Sequence, residues 1–315
     1  LDVTLVTSIP AEIEESGATV VDFDVLRRSV AESPEDEVTL SLDDALRLTV
    51  TSGAFSIKVP VRHADDFPTI PETPETQITA PWATVQDLIV RVSHAISDHD
   101  GDGFTLQGVA LNVEGGKLAA WATDRHRMAI AEVNGQPRTA KLLTLIQTRA
   151  SALISAMEWE GDATIGTDDR FTVLAIGDRT VYSRNSEGRF PDLRKMVPAK
   201  EAVAIVGADA FSGAIRRAGI TRGDLLRFDV DRASITITAT SSRGETSEKV
   251  ACDYSGPAFS VGYEASYIAD AIGAMRSDQV MLEFAKTDDA APLLLRAEPP
   301  DETCDHIEIV MPRRM

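Results

Sequence analysis

The side chains best able to do chemistry are gathered in Thr123-Asp124-Arg125-His126-Arg127, at the end of the run Ala119-Ala-Trp-Ala122. An aspartate two residues from a histidine is a pair that general acid/base catalysis can use, because the carboxylate orients the imidazole that moves the proton. No serine or cysteine nucleophile accompanies the pair in sequence. Three readings stay open at this point: an acid/base site, one lip of a peptide-binding surface, or a charged turn.

The other chemical motifs read more plainly. Asp98-His99-Asp100-Gly101-Asp102-Gly103 has the acids and the glycine that open an EF-hand loop. Its twelfth position, where a bidentate Glu belongs, is Val109, and Phe104-Thr105-Leu106 is strand-like. The segment therefore reads as an acidic turn. His63, His94, His99, His126 and His306 form no HxxxH or HExxH pair, so no metal site is expected. No glycine-rich phosphate-binding motif is present, and no cofactor is expected. Cys252 and Cys304 make a poor disulfide framework and fit a reducing, cytoplasmic setting.

The elements that must position these residues follow from composition and periodicity. The 315 residues carry a net charge of −19, which argues against nucleic-acid binding over the whole surface but not on one concave face. No apolar run is long enough to span a membrane. The opening Leu1-Asp2-Val3-Thr4-Leu5 has no signal-peptide pattern and resembles the middle of a strand. Apolar residues at three-and-four spacing predict helices over 22–31, 142–157 and 263–275, and a second class over 84–96 and 209–220. Alternation predicts strands over 38–42, 46–50, 55–59 and 234–238. Phe67-Pro68, Phe190-Pro191 and Met311-Pro312 recur with a period of about 120 residues, as do the helices. The pattern predicts an α+β architecture in three stretches, 1–77, 78–198 and 199–315, of which the first holds only the second half of the repeat.

Three segments then carry a resemblance. Ala122-Thr123-Asp124-Arg125-His126-Arg127-Met128-Ala129 resembles the Ala-Thr-Asp-Gly-His-Arg-Leu-Ala motif of bacterial DNA polymerase sliding clamps. Gly188–Pro198 resembles that family's link between its second and third domains, and Ile309–Met315 resembles its C-terminal tail. The resemblance implies three repeated clamp domains per chain and a head-to-tail homodimeric ring, with helices lining the hole and antiparallel sheets outside. It implies no enzymatic activity. The implied partners are duplex DNA, held without sequence reading, and DNA polymerase and clamp-loader subunits, which bind through short peptide motifs.

Carried over position by position, the family's partner groove would comprise Leu106, Thr123, Arg125, His126, Arg127, Met128, Pro191, Lys195, Met196, Ala290, Pro292, Ile309, Val310, Met311, Pro312, Arg313, Arg314 and Met315. Arg27, Arg28, Arg91, Lys141, Arg149, Arg216, Arg217, Arg222 and Arg276 are the cations expected to face DNA from inner helices. Phe55 and Ile57 on one side, and Ile220 and Thr221 on the other, are expected at the dimer interface. Three residues depart from the family pattern: Arg125 where glycine is usual, Arg313 where methionine is usual, and Thr221 where leucine is common. A clamp paralogue that recruits partners by peptide binding without closing a ring is the alternative. A hydrolase using Asp124 and His126 is the reading from a different class.

Overall fold

A computed structural model describes residues 2–99, 104–185, 188 and 190–315. Asp100–Gly103, most of the EF-hand-like segment, lies outside the described residues. The chain divides into two compact units, one of residues 8–72 and one of residues 2–7 with 73–315.

The smaller unit holds helix α1 (Phe23–Ala31) and a three-stranded antiparallel sheet, Thr39–Asp43, Arg47–Ser52 and Phe55–Pro60. Asp22 starts the helix: its side chain accepts from the Val25 N–H at 3.0 Å, satisfying a free amide of the first turn. Leu48, Val50 and Val59 form the core, with Leu26 and Ile57 packed against it. Phe55 and Ile57 are half-buried on the last strand of this sheet.

The larger unit contains α2 (Trp82–Val92), α3 (Thr148–Ala156), α4 (Ala208–Ala218) and α5 (Ala265–Ala274). On α2, the spacing of Val85, Leu88, Ile89 and Val92 puts all four on one face, and all are fully buried. Phe211, Ala214, Ile215 and Ala218 do the same on α4. Five strands form one antiparallel sheet, from Val3–Thr7 at one edge to Ile78–Pro81 at the other. Twelve form a second, which runs unbroken from Leu142–Gln147 to Phe259–Glu264.

Two predicted helices are shortened. Residues 142–147 are a strand paired with Gly108–Glu114, and only 148–156 is helical. The run Leu-Leu-Thr-Leu-Ile-Gln satisfies both periods over six residues, and burial of Leu142, Thr144 and Ile146 in the sheet decides it. Tyr263 and Glu264 likewise belong to the strand Phe259–Glu264, and α5 begins at Ala265.

Candidate partner groove and its seam

The strand Arg127–Asn134 pairs antiparallel with Asp305–Val310, with Arg127 opposite Val310 and Met128 opposite Ile309. This pairing joins the Thr123–Arg127 cluster to the C-terminal tail within one sheet. Beyond the ladder, the Met311 N–H donates to the His126 carbonyl at 2.8 Å. The Arg313 N–H donates to the Gly262 carbonyl at 2.8 Å and fastens the tail to the sheet edge.

Residues 123–127 form a tight turn between Lys117–Thr123 and Arg127–Asn134. One carboxylate oxygen of Asp124 accepts from the N–H groups of His126 and Arg127, both at 2.9 Å. The Thr123 hydroxyl donates to the Arg127 carbonyl at 2.7 Å and accepts from the Arg125 N–H at 3.2 Å. The other Asp124 oxygen accepts from the Arg127 guanidinium at 3.0 Å. Asp124 is thus spent on shaping the turn, and it makes no bond to the His126 ring among the described contacts. The acid/base reading of the pair loses its geometry.

Arg127 also reaches α5. Its guanidinium pairs with Asp270 at 2.5 Å and lies over the Tyr267 ring, 4.5 Å from the centroid. His126 stacks on the same tyrosine. Burial raises the Tyr267 pKa, with Asp124 adding to it, so the ring stays neutral under the cation. Arg125 adopts φ +75°, the left-handed region that favours glycine.

Leu106, Met128, Ile309, Phe190 and Leu193 share one buried cluster with Trp121, which forms the floor of this region. Thr123 is buried, Pro191 and Pro312 are half-buried, and Lys195, Ala290, Arg314 and Met315 are exposed. Met196 at 54 % and Met311 at 39 % exposure leave apolar surface beside the floor. Val310 belongs to a different core from Ile309, because successive residues of a strand face opposite sides. Val310 therefore lies behind the apolar floor that Ile309 joins, on the opposite side of the sheet from the other expected groove residues. Pro292 is half-buried and its carbonyl accepts from the Ala285 N–H.

The inward face of the same strand carries a buried ionic hub. Glu308 accepts from His94 Nε2 at 3.0 Å and His306 Nε2 at 2.8 Å. His94 lies on the 3-10 turn Ser93–Ala95 that follows α2, so the hub ties that helix to the seam. Beside it, Arg91 pairs with Asp87 at 2.8 Å and Asp301 at 3.1 Å. Periodicity placed Tyr267 on the apolar face of its helix without linking it to Arg127, and did not single out Asp270 or Glu308. Only the alternation His306-Ile-Glu308-Ile, polar in one direction and apolar in the other, hinted at the hub.

The expected DNA-facing cations separate into groups. Arg28, Arg149, Arg216 and Arg222 are exposed on helices or at their ends. Arg27, Arg217 and Arg276 are exposed too, each in an ion pair, with Asp24, Glu248 and Asp87 respectively. Arg91 is corrected: at 6 % exposure, and held by Asp87 and Asp301, it is not offered to a polyanion. Lys141 is exposed but precedes a strand, so it is not on a helix. Ile220 is 74 % exposed, whereas Thr221 is buried, its hydroxyl donating to the Ala218 carbonyl.

Helices backed by continuous antiparallel sheets, with a tail laid across the sheet seam, place the molecule among the DNA clamps. The fold of the DNA polymerase III beta subunit from Pseudomonas aeruginosa matches with a TM-score of 0.90 at 24 % identity, over 99 % of this chain and 87 % of that one. A sliding clamp from the same organism bound to griselimycin matches at 0.88 and 24 % identity, over 100 % of this chain and 86 % of that one. In sequence, the beta sliding clamp of Pseudomonas aeruginosa is 27 % identical over 327 residues, covering 100 % of this chain and 87 % of its own length. Family models for the DNA polymerase III beta subunit match twice, the central domain at residues 79–192 and the C-terminal domain at residues 194–314. The chain belongs to the DNA polymerase III beta subunit family, the bacterial sliding clamps.

Proposed function

We propose that the chain is a non-enzymatic processivity factor of the cytoplasm. Two copies join head to tail in a ring around duplex DNA, and a groove between the domains 78–198 and 199–315 captures short apolar peptides from DNA polymerase and clamp-loader subunits. The observation that carries this reading is the seam. It brings two family motifs, separated widely in sequence, onto one apolar floor bordered by exposed methionines. Methionine side chains repack cheaply, which suits a site serving several partners. An extended peptide with one or two large apolar anchors is the natural occupant.

The DNA contact in this reading is electrostatic. Arg28, Arg149, Arg216 and Arg222 are exposed cations on or beside helices, in a chain whose net charge is −19. Screened attraction to phosphates permits sliding, because it fixes no register. Phe55 and Ile57 meet the exposed Ile220 of the second copy in the proposed ring, whereas Thr221, buried in its own chain, supports that turn from within.

The test has two arms. Mass in solution should be twice that of the chain, and the protein should stay on nicked circular DNA only after treatment with a clamp loader and ATP. A monomer that never loads refutes the ring. Griselimycin, which the Pseudomonas aeruginosa clamp binds, is a first small ligand to try against the groove.

A further inference from the structure

The chain has seven methionines, and their exposure divides them into two sets. Met128, Met157 and Met275 are each 7 % exposed, and Met281 is half-buried. Met196, Met311 and Met315 are 54 %, 39 % and 56 % exposed. Those three lie on the two segments that border the apolar floor. Met196 closes the turn Leu193–Met196, whose Leu193 is fully buried in the floor cluster. The Met311 N–H donates to the His126 carbonyl, and Met315 ends the tail two residues past the Arg313 N–H that fastens it to Gly262. The exposed methionine of the molecule is thus gathered where partner peptides are proposed to bind.

Cysteine competes for an oxidant as the thiolate. Burial pushes the Cys252 thiol up, with Asp253 and Asp231 adding to it, and pushes the Cys304 thiol up to about 11 against the pull of Arg91. Both thiols therefore keep their protons near neutral pH. A thioether has no proton to lose, so its reaction with a peroxide depends on access and not on ionisation.

We propose that Met196, Met311 and Met315 are the oxidation sites of this chain, and that hydrogen peroxide releases partner peptides by converting them to sulfoxides. The proposal rests on the reading of the seam as a peptide groove. In the step, a sulfur lone pair takes one oxygen of the peroxide. The S–O bond forms and the O–O bond breaks; sulfur gives up two electrons, and the peroxide leaves as water. The product carries an acceptor oxygen where the groove presented apolar surface. An apolar anchor seated against that oxygen leaves it without a donor, and burying an unpaired polar group is costly. Enzymatic reduction of the sulfoxide restores the thioether, so the change is reversible.

The experiment uses the full chain and a fluorescein-labelled synthetic peptide with Leu and Phe anchors. Binding is followed by fluorescence polarisation before and after hydrogen peroxide, and the sulfoxides are located by tandem mass spectrometry of Glu-C fragments. Sulfoxide should accumulate at Met196, Met311 and Met315 ahead of Met128, Met157, Met275 and Met281, with tryptophan fluorescence unchanged. Peptide affinity should fall roughly five- to twentyfold, and should return on treatment with methionine sulfoxide reductases A and B. A chain carrying Met196→Leu, Met311→Leu and Met315→Leu keeps apolar side chains of similar volume. It should bind within about twofold of the parent and hold that affinity through peroxide treatment. Earlier oxidation of the buried methionines, unchanged affinity once all three sites are oxidised, or an equal loss in the triple variant overturns the proposal. If the untreated parent binds no peptide, the groove reading itself falls, and this inference with it; binding that survives oxidation removes this inference alone.

Discussion

Glu308 offers the sharpest test of what holds the seam together. Its carboxylate is 1 % exposed and accepts from both His94 and His306. His306 Nδ1 is buried without a partner, so the network assigns its proton to Nε2, where Glu308 accepts it. Glu308→Gln keeps the shape and removes one acceptor. One histidine can still donate to the amide oxygen. The other then faces an N–H₂ donor, or shifts its proton to Nδ1, which for His306 strands a buried N–H. Losing a hydrogen bond to a charged acceptor costs about 1.5–3 kcal/mol, and an orphaned buried donor about 1–3 kcal/mol. His94 is partly exposed and can turn to water, which offsets part of the loss. The net expectation is a loss of about 1–2 kcal/mol. Trp82, Trp121 and Trp159 all lie in the unit of residues 73–315, so tryptophan fluorescence in a urea titration reads that unit alone. Glu308→Ala, which leaves two imidazoles and a cavity, should cost more, about 3–5 kcal/mol. Unchanged stability in Glu308→Gln refutes the assignment of Glu308 as a double acceptor.

Three further outcomes are expected. Gly262→Ala places a methyl 2.7 Å from the Arg313 carbonyl oxygen, closer than a Cβ tolerates, so the tail should lift and peptide affinity fall several-fold in a polarisation assay. Asp124→Ala removes the acceptor of two backbone amides and one guanidinium bond. It should cost about 1–2 kcal/mol in urea unfolding and weaken peptide binding, whereas a hydrolytic role for the Asp124–His126 pair would show instead as lost turnover. Burial of Cys304, opposed by nearby Arg91, pushes its thiol up to about 11. Folding thus favours the neutral thiol. That contribution is full below the unfolded thiol pKa of about 8.5 and is lost as pH rises toward 11. Alkaline unfolding across that window should be shallower in Cys304→Ala.

Much of the fold was legible because its signals are local. The apolar stripes of α2 and α4 and the alternation of 234–238 need no knowledge of the rest of the chain. The misread stretch, 142–147, is short and apolar, and only its partner strand Gly108–Glu114 settles it. Arg91 fails for a related reason. Periodicity places it beside the buried stripe of α2, but its second acceptor, Asp301, is over two hundred residues away. At the site, the resemblance located the turn and the tail and marked Arg125 as standing where glycine is usual, but the left-handed backbone that Arg125 keeps there was not foreseen. The supports were not legible. Tyr267 and Asp270 read as ordinary positions of an amphipathic helix, and nothing local links them to Arg127.

The hub and the apolar floor of the proposed groove are two faces of one register. Along Asp305–Val310, His306 and Glu308 face the helices, while Ile307 and Ile309 join the outer cluster that floors the groove. The period of a strand is two, so a slip of one residue against Arg127–Asn134 would exchange the faces. Ile309 would then enter the hub, leaving His94 without a carboxylate, and Glu308 would enter the apolar floor. Each error costs several kcal/mol, and together they exclude the slipped pairing. The buried polar groups therefore contribute more to position than to stability. They fix which residue follows the strand, and hence that Met311, not its neighbour, bonds the His126 carbonyl at the lip of the groove.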